Sequence, residues 1–137
     1  MIKRIAHVGI ATRSIAVTAE FYKHLGLELD SIEMVQNQKV KVAFMEAGDS
    51  AIELIEPTEK DSHIQRFIDD HGEGIHHITL EVENLEERLR FLSEKNIKLI
   101  DEKPRPGAQG SLIAFVHPDS TGGVLIELVQ PASGESS

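Results

Sequence analysis

The chain has 137 residues, with 14 lysines and arginines against 23 aspartates and glutamates, and a formal net charge of −9 at pH 7. That balance argues against nucleic acid as a partner, and the sequence has no run of the roughly 20 apolar residues that a membrane-spanning helix needs. The absence of cysteine excludes disulfide bonds, thiolate nucleophiles and thiolate metal ligands.

The predicted elements of the first half are a strand, a helix and three more strands. Alternating apolar positions and polar turns place them at residues 4–11, 14–25, 27–36, 39–47 and 50–56. Ser14 has a side chain that can cap the helix, and Gly26 is the residue type that ends one. This first module covers about residues 1–57 and is followed by a predicted linking helix over residues 58–72.

The second half repeats this order of elements within about residues 73–131. The same patterns place the elements at residues 75–83, 84–96, 97–101, 111–117 and 123–130. Asn84 can cap the helix, with Glu87 three residues later as in a capping box. Residues 102–110 contain Pro and Gly and indicate a loop. We expect both modules to form one domain over residues 1–137.

Two segments of the sequence occur twice, which indicates an internal duplication. IAHVGI at residues 5–10 resembles IHHITL at 75–80, and AIELIEP at 51–57 resembles LIELVQP at 125–131. The predicted fold is therefore α+β, with two tandem βαβββ modules whose strands form a curved, half-barrel mixed sheet around a metal site. The alternative is a ferredoxin-like α+β domain in which the similarity is accidental.

Four candidate metal ligands lie at matched positions of the two copies. His7 and His77 lie in the first strand of each module, and Glu53 and Glu127 lie in the last. A carboxylate within an apolar strand is costly unless it is paired or bound to a metal. Because side chains alternate along a strand, each Glu faces away from its Ile and Leu neighbours, and we expect it to face the concave side.

Two imidazoles and two carboxylates suit Zn²⁺, Co²⁺, Mn²⁺ or Fe²⁺ and suit Ca²⁺ less well. The other histidines have no such pattern. His76 is expected on the opposite side of the sheet from His77, either with a structural role or as a residue that contacts a metal ligand. We expect the remaining histidines to be surface or core residues; these are His24, His63, His71 and His117.

Five segments carry a resemblance to a known family. They are IAHVGIA at residues 5–11, GIHHI at 74–78, PGAQG at 106–110, FVHP at 115–118 and GGVLIEL at 122–128. With them the chain resembles the methylmalonyl-CoA epimerase family of the vicinal oxygen chelate superfamily over nearly its whole length. The resemblance implies that His7, His77 and Glu127 are metal ligands. Glu53 falls where some epimerases have Gln as the fourth ligand.

The same resemblance implies a cofactor, a substrate and a reaction. The cofactor is one divalent ion, Co²⁺ first, with Zn²⁺, Mn²⁺, Mg²⁺ and Ni²⁺ as alternatives. The reaction interconverts (2R)- and (2S)-methylmalonyl-CoA by α-proton abstraction and reprotonation through a metal-stabilised enolate. Glu127 is the first candidate base, with Glu53 or Glu46 as the second, because some members have a catalytic Glu where this chain has Val42.

Further expectations concern binding, assembly and location. Lys103 and Arg105 are candidates to bind the phosphates of the acyl-CoA substrate. A homodimer is expected from the superfamily. A cytoplasmic location is expected because no signal peptide is apparent.

Three rival functions remain open at this point. A glyoxalase I-like isomerase would use a similar ligand set, and an extradiol dioxygenase would use iron with two His and one carboxylate. A metal-free antibiotic-binding protein of the same fold would not need ligands. The four retained ligand types argue against this last class, and the epimerase-like segments between the ligands argue against the first.

Overall fold

The computed structural model describes residues 1–133. The chain divides into two compact units. The N-terminal unit is His7–His76, and the C-terminal unit combines Met1–Ala6 with the described residues from 77 to 133. Within residues 1–133, none of the helices has the length and apolar character needed to cross a membrane.

Strands and helices follow one another along the chain in the order that the sequence predicts. The described residues form strands β1 Ile2–Ala11, β2 Leu29–Val35, β3 Val40–Ala47, β4 Ser50–Pro57, β5 Gly74–Val82, β6 Arg105–Pro106, β7 Leu112–Val116 and β8 Ile126–Gln130. The helices are α1 Ile15–His24, α2 His63–His71 and α3 Leu85–Glu94. The order βαβββ, helix, βαβββ is thus confirmed.

The two modules have the same strand topology. In the first, the spatial order is β2-β3-β4-β1, with β3 antiparallel to both neighbours and β1 parallel to β4. In the second, the order β6-β7-β8-β5 has the same pattern, with β5 parallel to β8. Each sheet is therefore mixed. Strands β1 and β5 both pass through the two compact units, since the unit boundaries fall at His7 and His77.

One helix covers one face of each sheet. Ile15 and Ala19 of α1 pack against Ala43, Met45 and Leu54. In the C-terminal unit, Leu85 and Leu89 of α3 pack in the same way against Ala114, Val116 and Leu128. Burial of each such Leu or Ile side chain stabilises the fold by about 1.5–3 kcal/mol, so the helix-covered face of each sheet is strongly specified.

The helix ends also match the predictions. Ser14 accepts a hydrogen bond from the backbone N–H of Val17 at 3.2 Å, and Asn84 accepts one from Glu87 at 3.2 Å. Gly26 and Asn96 follow the two helices with positive φ angles of 104° and 60°. Glycine has no Cβ and adopts positive φ at little cost, and Asn tolerates this conformation better than most residues, so both positions end a helix.

The predicted strand at residues 97–101 is wrong. This segment forms only an isolated bridge, Leu99 with Val116. The Asp101 carboxylate accepts the hydrogen bond from the backbone N–H of Phe115 at 2.8 Å, so a side chain replaces the backbone partner that a ladder would use. The short strand β6 lies instead within the predicted loop 102–110, at the sheet edge where Pro is tolerated.

Candidate metal centre

In the N-terminal unit, His7 of β1 and Glu53 of β4 form a close pair. Their Nε2 and Oε1 atoms are 3.1 Å apart, and the His7 side chain is 12% exposed. The two strands are parallel, with Gly9 opposite Glu53. The ring of Phe44, which lies opposite Glu53 on β3, meets the His7 ring edge-on at 5.5 Å. Phe44 therefore restricts the orientation of the imidazole.

The apolar neighbours of Glu53 fix the face on which it lies. Leu54 is buried in the cluster beneath α1, and Ile52 packs against the same cluster. Since side chains alternate along a strand, Glu53 points to the face opposite the helix. It is nevertheless only 7% exposed. A carboxylate at this depth needs a cationic or hydrogen-bonding partner, because desolvation of its charge is costly.

In the C-terminal unit, His77 of β5 and Glu127 of β8 form the equivalent pair. The Nε2 atom of His77 is again 3.1 Å from Oε1 of the carboxylate, and the two residues are 3% and 6% exposed. Phe115 lies opposite Glu127 on β7 and meets the His77 ring edge-on at 5.7 Å. The ligand pair and its aromatic support are thus repeated in both modules.

Thr79 adds a contact that the sequence analysis missed. It lies opposite Glu127 in the β5–β8 register and is fully buried. Its hydroxyl donates to Oε1 of Glu127 at 2.5 Å. The sequence could have indicated this residue, because Thr79 is two positions after His77 and side chains two apart on a strand share one face.

The chemistry of these donors fits a divalent ion. His7, Glu53, His77 and Glu127 make up a set of residues that could hold a metal ion. Imidazole nitrogen and carboxylate oxygen are ligands that zinc, cobalt, manganese and iron accept. A cation would also neutralise two carboxylates that are largely removed from water.

Comparison with known proteins assigns the chain to a family. The model of the Glyoxalase/Bleomycin resistance protein/Dioxygenase superfamily matches residues 6–115. The chain is 36% identical to human mitochondrial methylmalonyl-CoA epimerase over 93% of its own length and 73% of the human protein. It belongs to the methylmalonyl-CoA epimerase family of this superfamily. The resemblance inferred from the five sequence segments is thereby confirmed.

Two further relatives extend the match. An uncharacterized Bacillus subtilis protein, YqjC, is 46% identical over 93% of this chain and 92% of that protein. A solved structure of Streptomyces coelicolor methylmalonyl-CoA epimerase, in complex with 2-nitronate-propionyl-CoA, is 34% identical and covers all of both chains with a TM-score of 0.94. This agreement over the whole chain confirms the predicted fold class.

The chain departs from some epimerases at Val42. This residue is buried on β3, opposite Ile55 of β4. Glu46 lies on the same strand face, but it is exposed and borders a surface depression together with Glu28 and Asp30. Glu46 is therefore a solvated carboxylate in an acidic environment, in contrast to the buried Glu53.

The two candidate cations for the substrate lie in different surroundings. Arg105 is opposite Ile113, its guanidinium lies 5.5 Å from the centre of the Phe115 ring, and its Nε is 3.2 Å from Asp101. Through this register it shares the strand face of Glu127. Lys103 is exposed and borders a depression formed with residues of α3, on the helix-covered side.

Glu81 and several of the other histidines have structural partners. Glu81 is a buried carboxylate on β5, and its Oε1 accepts a hydrogen bond from Nε of Arg4 at 3.1 Å. His63 and His71 are exposed, as expected of surface residues. Phe67 of α2 stacks on His71 at 4.8 Å and meets His76 edge-on at 5.0 Å, while His63 lies 5.6 Å from His76. His76 thus packs against a helix, consistent with a structural role.

Proposed function

We propose that the chain is a metal-dependent epimerase that interconverts (2R)- and (2S)-methylmalonyl-CoA. The observation that carries the proposal is the pair of matched, buried His–Glu couples in a member of the epimerase family. A matched couple in each half supplies ligands for an ion that would bind the thioester and carboxylate oxygens of the substrate. Relatives named for this activity span nearly the whole chain.

We propose that both couples bind a single divalent ion, with Co²⁺ the first candidate and Zn²⁺, Mn²⁺, Mg²⁺ or Ni²⁺ as alternatives. When bound, the ion supplies positive charge that stabilises the enolate of the substrate. The aromatic rings of Phe44 and Phe115 hold the two imidazoles in orientation, and the sheet excludes water from the carboxylates.

Inversion at the α-carbon requires one group to remove the proton and a second to return one on the opposite face. Glu127 is the first candidate for one role, and Glu53 or Glu46 is a weaker candidate for the other. Glu46 is exposed and borders a depression with Glu28 and Asp30, whereas Glu53 is buried beside His7. The buried position of Val42 leaves no ionisable group where some relatives have a Glu.

For the acyl-CoA, we propose that Arg105 binds an anionic group of the substrate. Its register places it on the strand face of Glu127, and its stacking on Phe115 holds the guanidinium in place. Lys103 is the weaker candidate to bind a CoA phosphate, since it lies beside α3 and not on the strand face of Glu127.

We also propose that the protein is a homodimer and acts in the cytoplasm. A twofold-symmetric dimer is the commonest oligomer among soluble proteins, and the family resemblance favours it. Light scattering of the purified chain measures the assembly, and a monomer at micromolar concentration would contradict this part of the proposal.

The test is incubation of cobalt-loaded protein with one epimer of methylmalonyl-CoA in D₂O. We expect conversion to a mixture of both epimers, with deuterium incorporated at the α-carbon, and no conversion by chelator-treated protein or by His77→Ala. Failure of the loaded protein to convert the substrate would refute the proposal. Parallel assays with the glutathione adduct of methylglyoxal and with catechols test the isomerase and dioxygenase alternatives.

A further inference from the structure

The Thr79 hydroxyl contacts a candidate metal ligand directly. Thr79 has no exposed surface, and its donor contact to Glu127 at 2.5 Å is short, as expected for an O–H group bound to a carboxylate. The acceptor is Oε1, the same oxygen that lies 3.1 Å from Nε2 of His77. One hydroxyl therefore restricts the carboxylate whose orientation the C-terminal couple depends on.

The first module differs at the equivalent place. Gly9 lies opposite Glu53 in the β1–β4 register, just as Thr79 lies opposite Glu127 in the β5–β8 register. A glycine has no side chain, so this position cannot donate to Glu53 as Thr79 donates to Glu127. The duplicated modules thus have the same ligand types but different support around them.

We propose that Thr79 is a positioning residue that holds Glu127 in its ligand orientation and so preorganises the second half of the metal centre. The inference rests on the proposed function, because it takes Glu127 to be a ligand. Groups that hydrogen-bond to metal ligands typically contribute about 10- to 100-fold to metal affinity. Gly9 lies opposite Glu53 at the position that Thr79 occupies opposite Glu127, so the orientation of Glu53 depends on other residues.

The test compares Co²⁺ affinity, measured by competition with a chromophoric chelator, between the parent chain and variants at Thr79. Thr79→Val removes the hydroxyl but keeps the shape of the side chain. Thr79→Ala removes both the hydroxyl and the methyl group, and Thr79→Ser keeps the hydroxyl. We expect Val and Ala to weaken Co²⁺ binding by about 10- to 100-fold and to change the visible spectrum of the bound cobalt. Serine is expected to restore affinity.

Thr18→Val serves as the matched control, because Thr18 bonds to another hydroxyl, that of Thr12 at 2.6 Å, away from the ligand couples. We expect it to bind Co²⁺ like the parent. Parent-like affinity in Thr79→Val and Thr79→Ala would overturn the inference, as would an equal loss in Thr79→Ser. Failure of the parent itself to bind any divalent ion would instead overturn the proposed function and the inference together.

Discussion

Glu56 accepts a hydrogen bond from the backbone N–H of Ile15 at 2.8 Å and so joins the end of β4 to the first turn of α1. Gln130 makes the same contact with the backbone N–H of Leu85 at 2.8 Å, at the start of α3. Each of these residues stands three positions after the Glu of its module. The strand that presents a candidate ligand therefore also holds the helix that covers the other face.

Glu56, which contacts the start of α1, is charged, whereas Gln130, which contacts the start of α3, is neutral. We therefore expect the charge of Glu56 to contribute to the stability of the protein. α1 has no acidic residue in its first turn, whereas α3 has Glu86 and Glu87. We expect Glu56→Ala to lower the free energy of unfolding by about 1 kcal/mol. Glu56→Gln is expected to lower it by about 0.3–1 kcal/mol, because the amide keeps the hydrogen bond but loses the charge interactions with the helix dipole and with Lys41, 3.6 Å away. Urea denaturation measures both, and a Glu56→Gln variant as stable as the parent would show that the charge is irrelevant.

The stoichiometry of the ion tests whether both couples act together. We expect about one cobalt ion per chain for the parent, and loss of tight binding in both His7→Ala and His77→Ala, because each removes a ligand from the same shell. Elemental analysis after dialysis gives the answer. Two ions per chain in the parent, with one retained in each variant, would mean that the couples bind separate ions.

The negative charge of Glu53 is expected to affect ion affinity more than turnover. Glu53→Gln removes one charge from the ligand set and gives the residue that some epimerases have. We expect Co²⁺ to bind about tenfold more weakly, while epimerisation at saturating cobalt persists, because a neutral ligand leaves more positive charge on the ion. Chelator competition and the exchange assay measure the two effects. Complete loss of turnover at saturating cobalt would instead support a base role for Glu53.

The different surroundings of Arg105 and Lys103 predict different kinetic effects. Arg105→Gln is expected to raise KM for the acyl-CoA by about tenfold, since hydrogen bonds to charged groups contribute about 1.5–3 kcal/mol. Lys103→Gln, an equivalent loss of charge at an exposed site, is expected to change KM by less than about threefold. Steady-state kinetics on both variants decide, and equal effects would contradict the assignment of Arg105 to the ligand face.

Acid is expected to weaken the contact between Glu73 and the segment before α1. The backbone N–H of Arg13 and then the Thr12 hydroxyl lower the pKa of Glu73 below its ordinary value of 4.5. A depressed carboxyl pKa adds stability above the unfolded-state pKa and loses it as pH falls through the folded-state value. The melting-temperature gap between the parent and Glu73→Gln should therefore shrink from pH 7 to pH 3.5.

Glu20→Gln is the control for this acid dependence, since Glu20 is exposed and pairs only with Lys23 in the same helix among the described contacts. Its gap to the parent measures how the removal of a carboxylate outside the Glu73 contact affects stability over the same range. The Glu73 side chain is 43% exposed, so solvent screening makes the effect small. A gap that widens in acid would contradict the direction of the pKa shift.

Much of the fold could be predicted because the sequence repeats its strand patterns. The helix ends at Gly26 and Asn96 follow from backbone conformation, and the faces of Glu53 and Glu127 follow from alternation with apolar neighbours. These are local rules. Each depends on residues a few positions apart, so the sequence alone was sufficient.

The failures arose where a side chain acts at long range. Asp101 occupies a backbone partner on β7, fourteen positions away, so residues 97–101 could not be recognised as irregular from their own pattern. The hydroxyl of Thr79 gains its role only from the register of β5 with β8. Arg105 and Lys103 are two positions apart in the same loop, so their sequence context is nearly the same. Their surroundings differ because Arg105 contacts Phe115 and Lys103 lies beside α3.

The passage of β1 and β5 through both compact units has a consequence for truncated chains. A chain with one βαβββ module alone would have a first strand that belongs only in part to its own unit. Fragments made by cutting between the modules are therefore expected to be less stable than the full chain.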